Sequence, residues 1–274
     1  MGKERLEGKV AIVTGGGARE QRELGTGRAT SVCLAREGAK VLVVDLEEAN
    51  AQRTVDQIRG EGGEASAFQA DCALAGDNLA MVTACVERFG SLDILVNNLG
   101  ISARGNVADL DEDTLHRSLD LNLNSAVFAS KYAIPAMRQS GGGSIINVSS
   151  IDGLSAGMFH NTPYALAKGA LHMLTKTTAA YHGREGIRAN CIAPGPIHAS
   201  FTTNLSAKTR ELRERSVPLG TEGTAWDIAW GAVFLASDEA RWISGVIIPI
   251  DGGLLATAPL TAYGYMEDMD FEVD

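Results

Sequence analysis

Short β-branched runs alternate along the chain with longer stretches whose apolar residues recur every three or four positions. The short runs, Val10–Thr14, Val41–Asp45, Ala65–Asp71, Ile94–Asn98, Ser144–Ser149, Arg188–Ala193 and Val246–Ile250, read as strands. The longer ones, Thr26–Glu37, Glu48–Arg59, Leu79–Phe89, Glu112–Gln139, Pro163–Tyr181 and Ala225–Ala236, read as helices. Strands this uniformly apolar are buried on both faces, which predicts a parallel sheet with helices on each side. Right-handed crossovers then give a doubly wound α/β fold with a seven-stranded parallel sheet. No internal repeat or Pro/Ser-rich linker divides the chain, so residues 1–254 read as a single domain. Helix-end chemistry agrees. Thr224 and Asp227 form a capping-box pair, Gly183 suits a helix end, and Thr162 with Pro163 fits an N-cap followed by the first helical position.

Three segments stand apart from this alternation. The polar stretch Ala18–Leu24 interrupts the first strand-to-helix connection. Residues 197–220 are polar and helical in places (Ser206–Arg215), as a closing lid would be. Beyond Gly253 the chain ends in an acidic extension, residues 255–274, expected to be mobile or docked on a neighbouring subunit.

Composition narrows the class. With 274 residues, 45% hydrophobic and 21% charged, the chain can bury a substantial core. A net charge of −10 argues against nucleic acid or an anionic membrane surface as the main partner. Cys33, Cys72, Cys85 and Cys191 show no CxxC or zinc spacing, so they read as reduced thiols and no metal site is expected. The first residues lack an apolar signal region and no apolar run is long enough to span a bilayer, which predicts a soluble, cytoplasmic protein.

The first strand runs into Thr14-Gly15-Gly16-Gly17, and the next helix opens at Gly25-Thr26-Gly27. Glycines there allow a tight turn and let a pyrophosphate approach the backbone, while the helix N-terminus supplies N–H donors and a positive dipole. The second strand ends at Asp45. A carboxylate at that place accepts hydrogen bonds from an adenosine ribose and repels a 2′-phosphate, which favours NAD over NADP; the residue could otherwise cap the next helix. Arg19 and Arg22 work the other way, since a guanidinium nearby accommodates a 2′-phosphate. Asp71 closes the third strand, either facing an adenine or serving as a turn residue.

Tyr164 and Lys168 lie four residues apart, on one helix face one turn from each other. A fixed cation beside a phenol favours the phenolate, so the tyrosine is expected to have a lowered pKa suited to proton exchange with an alcohol oxygen. A lone Tyr-x-x-x-Lys is more often a surface lysine stacked on a half-buried tyrosine. Here it has company: Asn97-Asn98-Leu99-Gly100, Leu121-Asn122-Leu123, Asn147-Val148-Ser149-Ser150, Pro194-Gly195-Pro196-Ile197 and Asp251-Gly252-Gly253, in that order around it.

Over roughly residues 8 to 254 this series resembles the short-chain dehydrogenase/reductase family in its compact single-domain branch, and so implies a Rossmann-type fold. The resemblance implies a Tyr-Lys-Ser-Asn mechanism. Tyr164 would be the general acid/base and Lys168 would lower its pKa and bind the nicotinamide ribose. Ser150 would bond the substrate oxygen, and Asn122 would hold a water leading from Lys168 to solvent. Gly15, Gly17, Gly25, Gly27, Asp45, Asp71, Cys72, Asn98, Gly100, Pro194, Gly195 and Ile197 would complete the cofactor contacts, with NAD the expected cofactor. It also implies a homotetramer or homodimer paired through the helices 112–139 and 163–181.

Four departures qualify the match. Gly25 stands eleven positions after Thr14, where the family pattern TGxxxGxG has five. Leu99 replaces the usual alanine, Ser150 and Tyr164 are fourteen rather than thirteen apart, and Ala199 stands where threonine is common, with Ser200 adjacent. Substrate walls are expected at Ser102, Arg104, Met158, Phe159 and His160, beside the strand ends. Arg104 could hold an anionic group or simply be solvated, and His160 could be a second acid/base or a polar loop residue. The leading expectation is an NAD-dependent oxidoreductase for a secondary alcohol/ketone pair. The alternatives are a non-catalytic dinucleotide-binding regulator, or an epimerase or dehydratase acting through transient oxidation.

Overall fold

The computed structural model describes residues 4–18, 24–157, 159–199, 202 and 205–267. Among them, seven parallel strands form one sheet in the order β3-β2-β1-β4-β5-β6-β9. These strands are β1 Val10–Thr14, β2 Lys40–Asp45, β3 Ala65–Gln69, β4 Ile94–Asn97, β5 Gly143–Val148, β6 Ile187–Pro194 and β9 Ile247–Ile250. The expected doubly wound, Rossmann-type sheet is thus present, and the strand order reverses between β1 and β4. A ligand crevice opens at such a switch point, outside the carboxyl ends of the strands.

Period-two alternation sends neighbouring strand residues to opposite faces. Ala11, Val13, Val41, Val43, Ile94 and Val96 pack on one face with helices α1 (Thr26–Arg36), α2 (Glu48–Gly60) and α8 (Ala225–Ala236). Val10, Ile12, Leu42, Val44, Leu95 and Ile145 pack on the other with α3 (Ala75–Phe89) and α5 (Ser125–Gln139). Each fully buried Val, Leu or Ile contributes roughly 1.5–3 kcal/mol relative to exposure.

Some boundaries differ from the sequence reading. The single helix expected over Glu112–Gln139 is broken into α4 (Glu112–Leu119), a π-helical turn at Asp120–Asn124, and α5. The wider turn inserts one residue into the i→i+4 ladder without disturbing the apolar spacing on either side, so periodicity alone does not reveal it. Helix α6 spans Thr162–His182; its N-cap is Asn161 and Thr162 is already helical. The capping box of Thr224 and Asp227 forms as expected.

Within 197–220, helix α7 (Ala207–Arg215) is capped by the Ser206 side chain. Next to it Ile197–His198 (β7) pairs in parallel with Gly223–Thr224 (β8), a two-stranded sheet too short to leave a pattern along the chain. Helix α9 (Pro259–Glu267) lies against α7 of the same chain, where Arg215 Nη2 donates to the Tyr265 carbonyl at 3.5 Å. No helix among the described residues is long and apolar enough to cross a membrane.

Candidate active site

The carboxyl ends of β1, β4, β5 and β6 converge, and each delivers part of the site. After β1, Gly15 takes φ +61°, a conformation that suits glycine. A Cβ on Gly27 would collide with the Gly15 carbonyl, and one on Gly17 would fall 2.5 Å from Asp45 Oδ2. The N-terminus of α1 at Gly25 carries no side-chain cap, which leaves its N–H donors facing the crevice for an anion. These features fit a dinucleotide with its pyrophosphate over the turn.

Asn98 staples this cradle together. Its amide donates to the carbonyls of Thr14 and Gly15 at 3.3 and 3.2 Å and accepts from Thr26 Oγ at 2.7 Å. The side chain therefore holds the turn rather than reaching freely into the crevice. Asp45, at the end of β2, accepts from the Gly17 N–H at 3.2 Å with Oδ2 and from the Glu47 N–H at 3.2 Å with Oδ1, so it touches the glycine turn directly. Asp71 Oδ1 accepts from the Ala73 N–H at 3.0 Å, a turn contact, and Cys72 beside it is buried, with burial raising its thiol pKa. Arg19 and Arg22 lie outside the described residues, as does most of the stretch 18–24.

Helix α6 presents Tyr164 and Lys168 on one face, with the Lys168 ammonium 5.7 Å from the phenol ring centre. The helix is registered by a buried polar rung: Asn97 Nδ2 donates to Asn147 Oδ1, and Asn147 Nδ2 to Thr175 Oγ, each at 2.8 Å. Left without such partners, these buried amides would cost more than they contribute. Lys168 is 3% exposed and donates to the Val148 carbonyl at 2.9 Å. Burial drives its pKa down to about 8.

Tyr164 corrects an expectation. Its pKa is pushed up, to about 12, not down: burial of the phenol dominates, the hydrogen bond from Ser150 works against it, and the charge of Asp152 adds to the rise. A cation more than a contact distance away, itself weakened by burial and bonded elsewhere, does not outweigh that desolvation.

Ser150 follows β5 and its hydroxyl reaches both Tyr164 and the Asp152 N–H, the latter at 3.1 Å. Asn122 sits in the π-helical turn with its side chain fully engaged: Oδ1 accepts from the Ile101 N–H at 2.9 Å, and Nδ2 donates to the carbonyls of Ile101 and Ser118. It lies close to Lys168 across Gly100, where a Cβ would meet Asn122 Oδ1 at 2.9 Å and Lys168 Nζ at 3.1 Å. All four candidate catalytic residues are therefore gathered at one end of the sheet.

On the far side, the backbone of Gly195 is pressed against Asp251, and its N–H donates to the Ile250 carbonyl at 2.9 Å. The Ile197 carbonyl accepts from Arg213 of α7 at 3.0 Å. Arg213 and Arg210 share the buried carboxylate of Glu222, at 2.5 and 3.1 Å, a latch that the sequence reading missed because its members come from separate segments. A cleft of about 440 Å³ is lined by Arg104, Gly105, Asn106, Asp109, Phe159 and His160, and Arg104 stacks over the Phe159 ring at 5.2 Å. Ser102 is exposed beside this loop; Met158 lies outside the described residues. A second missed feature is His172, one turn beyond Lys168, whose Nε2 bonds Ser149 Oγ at 2.9 Å beneath the site.

Comparison with known proteins agrees with this architecture. A family model described as enoyl-(acyl carrier protein) reductase matches residues 17–255. The chain belongs to the short-chain dehydrogenase/reductase family of oxidoreductases. It is 38% identical over 251 residues to the 2,5-dichloro-2,5-cyclohexadiene-1,4-diol dehydrogenase LinX of Sphingobium indicum, covering 91% of this chain and 97% of that one. It is 35% identical over 258 residues to 2-(S)-hydroxypropyl-CoM dehydrogenase 3 of Xanthobacter autotrophicus, covering 92% and 98%. A crystal structure of a family member from Burkholderia xenovorans superposes with a TM-score of 0.88 at 36% identity, covering 93% of this chain and 99% of that one.

Proposed function

We propose that the protein is an NAD-dependent oxidoreductase that interconverts a secondary alcohol and its ketone. The observation that carries this reading is the convergence of Tyr164, Ser150 and Lys168 beside the glycine cradle. A bound nicotinamide would supply the hydride acceptor or donor. The residues of the chain do the rest. Tyr164 Oη takes the proton from the substrate hydroxyl during oxidation and returns it during reduction. Ser150 donates to the same oxygen, where negative charge develops. Lys168 keeps a positive charge under the phenol, and the Arg104–Phe159–His160 cleft, with Ser102, forms the substrate wall. The names of the two relatives describe substrates that bear hydroxyls on carbon, which supports this reaction class. A panel of alcohols with NAD+ and with NADP+, read by nicotinamide absorbance, tests the reading; no turnover with any alcohol would overturn it.

The preference for NAD rests on Asp45, whose carboxylate lies against Gly17 where an adenosine ribose would sit. Asp45→Ala is expected to raise the KM for NAD+ roughly 10–100-fold, the worth of a charge-assisted hydrogen bond, while that for NADP+ falls or holds. A wild-type protein that uses NADP+ better than NAD+ contradicts this assignment.

The same reading includes a homotetramer or homodimer. Leu166 and Met173 on α6 are exposed, as are Trp230 on α8 and Trp242, the last at 92%. Exposed apolar side chains of this size suit pairing between copies. Light scattering is expected to give a mass of two or four chains, and a monomer at micromolar concentration would refute it. A cytoplasmic location belongs to this proposal and is supported by four free, buried thiols.

A further inference from the structure

One charged group in the site has no part in the proton exchange above. Asp152 lies two residues past Ser150, in the 3₁₀ turn Ile151–Gly153. That turn is seated on α6: a Cβ on Gly153 would fall 2.7 Å from the Lys168 backbone. The half-buried carboxylate is held by Asn161, whose Nδ2 donates to Oδ2 at 2.6 Å. Asn161 is also bridged to Gly105, a wall of the substrate cleft. Asp152 is thus linked through Asn161 to the cleft wall and is near enough to Tyr164 for its charge to bear on the phenol.

Its other oxygen, Oδ1, has no hydrogen-bond partner among the described residues; it lies against Gly157, whose lack of a Cβ makes room for the carboxylate. The cation whose charge acts on it, Arg213, is already committed to Glu222 and the Ile197 carbonyl. A partly desolvated carboxylate oxygen lacking a donor is costly, and burial accordingly raises the Asp152 pKa. A substrate hydroxyl is the donor that would relieve the cost. An anionic group would be repelled there, and a plain hydrocarbon would leave the oxygen unpaired.

We infer that Asp152 is a specificity-determining residue whose Oδ1 accepts a hydrogen bond from a second hydroxyl of the substrate, so that the substrate class is a diol or polyol. This rests on the oxidoreductase reading of the same site and specifies its substrate.

The test uses the full chain with NAD+ and a matched set: cyclohexanol and the 1,2-, 1,3- and 1,4-cyclohexanediols. The quantity read is the ratio of kcat/KM for the best diol to that for cyclohexanol, which a general loss of activity does not move. The wild type is expected to favour a diol, and Asp152→Ala to lower the ratio roughly 10–100-fold, the effect of one hydrogen bond to a charged group. Asp152→Asn retains an oxygen for Asn161 and so guards against a folding defect; it is expected to lower the ratio in the same direction. An equal ratio in wild type and both variants, or a wild type that prefers cyclohexanol to every diol, overturns the inference and leaves the oxidoreductase reading standing. A folded wild type inert toward the whole set, and toward the wider alcohol panel, overturns both.

Discussion

Tyr164→Phe is expected to cut turnover by roughly 10²–10⁴-fold, the range for losing a positioned general acid/base, while NAD+ binding stays nearly intact. The substitution removes one hydroxyl and leaves the ring that packs in front of Lys168, so the cradle at the other end of the crevice is undisturbed. What it deletes is the group that bonds Ser150 and exchanges the substrate proton. The pH dependence adds a signed check. Burial holds the phenol at about 12, so near neutrality it is protonated and ready to donate in ketone reduction. Alcohol oxidation needs the phenolate, whose fraction rises with pH. Wild-type kcat for oxidation is therefore expected to climb through the alkaline range, and the residual rate of the variant to lack that climb. Stopped-flow or steady-state absorbance across pH 6–10 measures both. A variant with unaltered turnover, or the same alkaline climb, would remove Tyr164 from the chemistry.

The fold could be read from the sequence where a single physical constraint acts at short range. Short, uniformly apolar runs mark the strands, and Thr224 with Asp227 marks a helix start, because both patterns are local. The π-helical turn at Asp120–Asn124 stayed hidden because adding one residue to a helical turn leaves a plausible apolar pattern on each side. The site shows the same division. Tyr164 and Lys168 declare themselves by spacing, but the pKa of the phenol depends on how far the folded chain desolvates it. Desolvation therefore reversed the direction that the pair alone suggests. Asp152, His172 and Glu222 belong to no short motif. Their significance lies in partners 9, 23 and at least 9 residues away. Such long-range pairs carry no periodic signal. Asn98 illustrates the converse: its motif was legible, yet its side chain braces the turn from behind.

Gly27→Ala is expected to damage stability and cofactor binding together, the largest effect at the nucleotide end. The added Cβ collides with the Gly15 carbonyl and falls 2.5 Å from Asn98 Nδ2. Neither can yield independently, since Asn98 also ties Gly15 and Thr26 to β4. Helix α1 must then back away from the turn, which withdraws its N-terminal donors from the pyrophosphate position. Overpacking against backbone costs about 1–3 kcal/mol, or roughly 2–12 °C in Tm for a chain of this size. Affinity for NAD+ is expected to fall more steeply than stability, because binding depends on sub-ångström placement of the N–H groups. Gly60→Ala, at the end of α2 with nothing within 4 Å of its Cβ, is the matched control. The same chemical change there relieves backbone entropy and is expected to leave the Tm level or slightly raised, with NAD+ affinity unaltered. Thermal unfolding and fluorescence titration on the two variants separate the outcomes. If Gly27→Ala binds NAD+ as the control does, the cradle between Gly15 and α1 is not where the dinucleotide sits.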